Sequence, residues 1–166
     1  MSNFIVPAYA KVTYTMVEVM TALLKAGFPA EQIETMTAIA GAESSWTNAI
    51  QENQPYSTTG WGTWQITPGN SVPDVGVDMA LLDLSTNARA AYTKYSYQGL
   101  KAWSTYNNGV YGHYYKYIDP DTLSQAQALA VAASQASIIT TTAHPVTMVK
   151  DYNHGPSCQC GTCLNG

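Results

Sequence analysis

Val12, Met16, Val19, Met20, Leu23 and Leu24 recur at helical spacing, and Gly27 stands where a left-handed glycine ends such a helix. Pro29 suits the first turn of a second helix. That helix carries Glu31 and Glu34 near its positive end and runs through Ile33, Met36, Ile39 and Ala40 to about Ser44. From Thr47 to Asp78 the chain turns to Asn, Gln, Thr, Gly and Pro around the β-prone run Thr63, Trp64, Gln65 and Ile66, which predicts loops with one small hairpin. A third helix is expected from Ser85 or Thr86, with Ala88, Ala91, Tyr92 and Tyr95 on one face, ending before Gly99. Helical turns resume over Tyr106 to Ile118. Asp119, Pro120 and Asp121 break the chain, after which Leu123, Ala126, Leu129, Ala130, Ala133 and Ala136 mark an Ala-rich helix to about Ile139, its small side chains implying close packing.

The pattern predicts a mainly α fold: one helical domain over residues 1–143 with a small loop and hairpin region, and an extended tail over 144–166. A length of 166 residues agrees with a single domain. Between Asp121 and Lys150 no residue other than His144 can carry charge, but Gln125, Gln127, Ser134, Gln135, Ser137 and the threonines at 140 to 142 interrupt the apolar run. Stable membrane insertion is therefore not expected. The start, Met1 to Pro7, lacks the cationic and apolar regions of a secretory signal.

Seven Lys and Arg against eleven Asp and Glu give a net charge of -4, which argues against a nucleic-acid binder, since phosphate tracking needs clustered positive charge. Twelve tyrosines offer flat apolar faces with hydrogen-bonding tips, a mixture that suits a sugar-lined groove as well as an ordinary core.

The candidate chemistry centres on Glu43. Ile33, Met36, Ala40 and Glu43 follow steps of three, four and three, which puts this carboxylate in the core-facing sector of its helix. Burial and the negative end of the helix dipole both disfavour its charged form, and a carboxyl held protonated near neutral pH can serve as a general acid. The structural alternative is a Glu bonded to nearby backbone or to Arg89.

Its company favours the functional reading. Ala42, Glu43 and Ser44 end a helix; Gly60 to Ile66 contain a Gln-Ile turn; Asn87, Ala88, Ala91 and Tyr92 share the third helix; and Tyr106, Asn107 and Gly109 follow. In this order, across roughly residues 20 to 112, the chain resembles the soluble-type lytic transglycosylases and the related goose-type lysozymes. The resemblance implies an α+β lysozyme-like fold with the hairpin region beside an active-site groove. It further implies that Glu43 protonates the glycosidic oxygen between N-acetylmuramic acid and N-acetylglucosamine, then acts as base on the muramic acid 6-hydroxyl to close a 1,6-anhydro ring. By similarity, Ser44 and Gln65 hold the substrate or the acid in place, Tyr106 hydrogen-bonds near Glu43, and Asn107 fills a small polar position. Trp61, Trp64 and Trp103 fit sugar-stacking platforms and plain core roles equally well. Many relatives have Leu and Met or Trp before the Gln, where this chain has two Trp and a Thr.

A hydrolytic lysozyme would add a second carboxylate, for which Glu52, Asp74 and Asp78 are the candidates. Catalysis of this kind requires no cofactor. In the tail, His154, Cys158, Cys160 and Cys163 supply four potential zinc ligands at His-x3-Cys-x-Cys-x2-Cys spacing; free thiols, or a disulfide with one thiol left over, are the alternatives. The implied partner is the peptidoglycan glycan strand. Together with the acidic balance, the signal-free start suggests a bacteriophage protein, either a virion or tail component contacting other virion proteins or a lysis enzyme held in the host cytoplasm. A lysozyme-fold virion part without turnover is the rival from another class.

Overall fold

The computed structural model describes residues 8–52, 56–67 and 78–142. Among these, helix α1 spans Met16–Ala26, α2 Ile33–Ser44, α3 Leu84–Gln98, α4 Ser104–Asn107 and α5 Thr122–Thr142. Strands β1, Ile50–Gln51, and β2, Gly60–Trp61, form an antiparallel hairpin that pairs Ile50 with Trp61 and Gln51 with Gly60. The fold is mainly α, as the periodicity predicts. No helix among the described residues is long and apolar enough to cross a membrane.

Helix α1 ends where expected, with Gly27 at φ 100° and the Gly27 and Phe28 N–H groups donating to Leu24 and Leu23 carbonyls. It begins later than the apolar spacing suggests. Thr15 Oγ1 accepts from the Glu18 N–H and the Glu18 carboxylate accepts from the Thr15 N–H at 2.8 Å, a capping box that fixes the start at Met16. Val12 falls outside the helix, in an extended segment whose next residue, Thr13, bridges Thr47.

A 3-10 turn over Ala30–Gln32 leads into α2, where Ile33 and every residue from Met36 to Gly41 are buried. Gly41 is required by contact: a Cβ there would meet Trp46 and Tyr114 ring atoms at 2.5 Å. The helix stops on two consecutive left-handed residues, Ser45 at φ 53° and Trp46 at φ 57°. That conformation costs about 1 kcal/mol or more for each L-residue. Hydrogen bonds offset it: Ser45 N–H donates to Gly41 O at 2.8 Å and the Trp46 indole N–H reaches back to Thr37 O at 2.9 Å.

The β-prone run at 63 to 66 is mostly a turn. Gly62, at φ 74°, reverses the chain, Gln65 is left-handed at φ 49°, and only Ile66 bridges back to Trp61. The physical reason lies in α3: the Asn87 side chain takes the Trp64 N–H at 2.9 Å and donates to Trp61 O and Leu81 O, so backbone groups that would feed a longer ladder are bound elsewhere. Asp83 caps α3 by accepting from Thr86 N–H, one residue ahead of the expected start.

The core gathers Val19, Met20 and Leu23 of α1, the inner positions of α2, Trp61, Trp64 and Ile66 of the hairpin region, Leu81, Ala88 and Ala91 near α3, and Trp103. Beyond α4 a long 3-10 segment, Val110–Tyr117, packs on α2, and α5 lies along α1. On α5 only Thr122 and Ala126 are buried among the described side chains, and Leu129, expected on the packed face, is 53% exposed.

Candidate active site

Glu43 comes from the last turn of α2, half-buried, facing the short α4 and the side of α3. Thr105 Oγ1 donates to its Oε1 at 2.6 Å. Burial is the largest influence on the carboxyl and raises its pKa above the usual carboxylate value; the Thr105 hydroxyl, the Lys94 ammonium and the Thr105 backbone N–H oppose it without cancelling it. Lys94 is the mirror case, its pKa lowered by burial and partly restored by Glu43. The group reads as an acid kept protonated further up the pH scale than a surface Glu, as its position on the helix predicts.

Glu43 lines a cleft of about 210 Å³ shared with Gln51, Gln65, Lys94, Trp103 and Ser104. It is the one carboxylate among the described residues of that lining. A larger groove of about 480 Å³ runs between α1 and α5, but it is lined by Leu24, Ala130, Val131 and a few neutral polar groups beside Lys25, with no acid to catalyse anything. The raised pKa of its acid, not its size, marks this cleft as the candidate site.

Gln65 is 7% exposed and enters the cleft wall from the turn. Both hydrogens of its amide are used, donated to Ala49 O at 2.9 Å and Gly62 O at 2.8 Å, while its Oε1 has no partner among the described residues. A buried acceptor left unpaired in this way is costly. Gly60 makes room for it, since a Cβ at that position would meet Oε1 at 2.5 Å.

Other expected contacts fall differently. Ser44 Oγ is committed to the frame: its one hydrogen is shared between Thr63 O at 2.9 Å and Ala40 O at 3.1 Å, and it accepts from Thr47 N–H, tying the end of α2 to the Gln65 turn. Trp61, Trp64 and Trp103 are 1%, 0% and 2% exposed, so of their two readings the structure takes the core one: a ring with no free face cannot stack on a sugar. Trp64 Nε1 donates to Met36 O and Trp103 Nε1 to Trp64 O, a relay that fixes the cleft floor to α2. Tyr106 stacks on Tyr111, 5.0 Å between centroids, and the hydroxyl that meets Glu43 belongs to its neighbour Thr105. Asn107 is exposed and donates to Lys101 O. Arg89 bonds Ser85 and Thr86 rather than Glu43.

Of the possible second carboxylates, Glu52 is exposed just past β1, Asp78 opens the 3-10 turn Asp78–Leu82, and Asp74 lies outside the described residues. So do His154, Cys158, Cys160 and Cys163. Lys94 and Thr105 were not foreseen. Lys94 had a signal, since Asn87, Ala91 and Lys94 step by four and three along the inner face of α3.

Residues 20–105 match the family model described as Lysozyme like domain. The chain belongs to this lysozyme-like family. Its members generally cleave peptidoglycan. No curated protein matches the chain. The matched stretch runs from within α1 to Thr105 and so takes in Glu43, the Gln65 turn, Lys94 and the hydroxyl that holds the acid.

Proposed function

We propose that this protein is a peptidoglycan lytic transglycosylase, of bacteriophage origin, that cleaves the bond between N-acetylmuramic acid and N-acetylglucosamine with Glu43 as sole acid and base. The reading is carried by one observation: a half-buried carboxyl with a raised pKa is the only acid among the described residues lining its cleft. Thr105 occupies Oε1, which leaves Oε2 to carry the proton. The neutral acid gives that proton to the glycosidic oxygen as the bond to C1 breaks. The resulting carboxylate takes a proton from the muramic acid 6-hydroxyl, whose oxygen bonds to C1. The 1,6-anhydro ring closes without water, and Glu43 ends protonated as it began.

Hydrolysis would need a second carboxylate, about 5 to 5.5 Å away for retention or 6.5 to 9.5 Å for inversion. Glu52, Asp74 and Asp78 keep that role as candidates. For an acidic protein, attachment to a virion or release at lysis would supply the approach to an anionic wall that its own charge does not.

Purified sacculi are incubated with the parent and with Glu43→Gln, and the released sugars are identified by mass spectrometry. The parent is expected to release anhydro-muropeptides and the variant to lose at least about 10³-fold in rate. Products with reducing ends would turn the reading to a lysozyme. No release by the parent would turn it to a virion component without turnover.

A further inference from the structure

Lys94 is the one cation among the described residues lining the cleft, and the acid chemistry of Glu43 leaves it without a role. Its position is costly. A lysine on an exposed helix face keeps its ammonium in water, whereas this one leaves α3 toward the interior and loses part of its hydration. For stability alone, an apolar side chain would serve better there.

What holds it is a rigid path back to the acid's own helix. The ammonium lies over the Trp103 ring, 5.0 Å from its centroid. Trp103 donates to Trp64 O at 3.0 Å, and Trp64 donates to Met36 O at 2.9 Å on α2, seven residues and two turns before Glu43. Trp103, Trp64 and Met36, and the two hydrogen bonds that join them, are buried. The ammonium and the carboxyl therefore belong to one frame.

The groups around Glu43 can be named element by element. Lys94 faces it from α3, Thr105 from α4 with a hydroxyl and a backbone N–H, and Gln51 and Gln65 complete the hairpin side as neutral amides. Among the described residues Lys94 is thus the one charged group acting on the carboxyl.

We propose that Lys94 is a positioning residue for Glu43, its fixed ammonium stabilising the carboxylate left once the acid has given up its proton, so that the same group is ready to act as base. The inference rests on the acid and base roles given to Glu43 above. A one-carboxylate mechanism asks a single group to be a good acid and then a competent base. Burial alone serves the first half and works against the second, because it makes the carboxylate dear. A neighbouring cation restores the balance without water, and the Trp103 ring keeps that cation in place while the substrate fills the cleft.

The test uses the full chain as parent, Lys94→Met, Lys94→Gln and Lys94→Arg, with thermal melts to establish folding. Two quantities are followed: the pH profile of muropeptide release, and the titration of the Glu43 carboxyl carbon by NMR, which needs no activity. In Lys94→Met and Lys94→Gln the titration and the alkaline limb of kcat are expected to move together to higher pH. The neutral-pH kcat is expected to fall about tenfold with KM nearly unchanged, and Lys94→Arg to restore all three. An unmoved titration overturns the pairing, and a moved titration with an unmoved limb overturns its part in the reaction. A parent that releases no muropeptides refutes the reaction itself, whereas a parent that does, beside variants whose limb has not moved, refutes this inference alone.

Discussion

Helices α2 and α5 are both rich in small apolar residues, yet the molecule uses them in opposite ways. Helix α2 is enclosed: seven of its twelve residues are buried, between α1 on one side and the 3-10 segment Val110–Tyr117 on the other. Helix α5, nearly twice as long at 21 residues, touches the body mainly along α1 and leaves Leu129 and Val131 more than half exposed. The difference separates two sources of helix. The end of α2 is held by hydrogen bonds that keep Ser45 and Trp46 left-handed, and Glu43 is placed by the enclosure of the helix. In α5, alanine-rich propensity does most of the work, and little depends on what faces outward.

If enclosure places the acid, the largest loss should follow from cutting the post that joins α3 to the Gln65 turn. Asn87 is 0% exposed and satisfies Trp64 N–H, Trp61 O and Leu81 O with one amide. Asn87→Ala removes the side-chain partner of Trp64 N–H and Leu81 O, while Trp61 O keeps the Ile66 N–H, and is expected to destabilise the fold by about 2 to 4 kcal/mol. At this chain length the melting temperature should drop by roughly 10 °C. A calorimetric change below about 1 kcal/mol would mean that the turn stands without its post, and the contrast between the two helices would lose its basis.

A smaller effect, felt in rate rather than in stability, is expected from Thr105→Val, which keeps the side-chain shape and deletes the 2.6 Å hydrogen bond to Glu43. A bond to a charged acceptor is worth about 1.5 to 3 kcal/mol, so kcat for muropeptide release should fall by roughly 10 to 100-fold. The sign of the pH effect follows from which form the hydroxyl favours. It lowers the Glu43 pKa, and its removal should move the alkaline limb of activity upward. Stability follows the same carboxyl. Because its folded pKa is raised, the stabilisation due to proton binding is complete below the unfolded carboxylate value and is lost as pH rises through the folded one. Melts across that window should show a decline in the parent that Glu43→Gln lacks, and that Thr105→Val carries to higher pH.

What could be read from the chain alone divides along the same line. Periodicity and punctuation located α2 and α3 and the end of α1, because Gly27, Pro29 and Gly99 act locally. Spacing also turned Glu43 inward. The start of α1 was equally local, in Thr15 and Glu18, but the apolar rhythm of Val12 overrode the capping box. Three tryptophans left core and platform open, since both uses ask for the same side chain; only packing distinguishes a ring with no free face. The Gln65 turn is legible through the family resemblance but not through propensity. Thr63 to Ile66 favour a strand by propensity, and the residue that diverts them, Asn87, lies more than twenty positions away. The hydroxyl on Glu43 was missed by one residue, Thr105 for Tyr106, a shift that no spacing argument resolves in so short a helix as α4.

The smallest effect is expected on the other helix, where it is also the most informative control. Val131 of α5 is 55% exposed. Valine and serine have similar helix propensities, so Val131→Ser tests outward contacts with little backbone penalty. A change within about 0.5 kcal/mol, or one to two degrees in the melt, is expected, with the rate on sacculi unaltered. The outcome bears on the division of labour directly. A loss of 2 kcal/mol or more would mean that this face is covered in solution, as the enclosed face of α2 is, and that α5 too owes its place to packing. A neutral result keeps the chemistry, and the cost of holding it, on the enclosed side of the molecule.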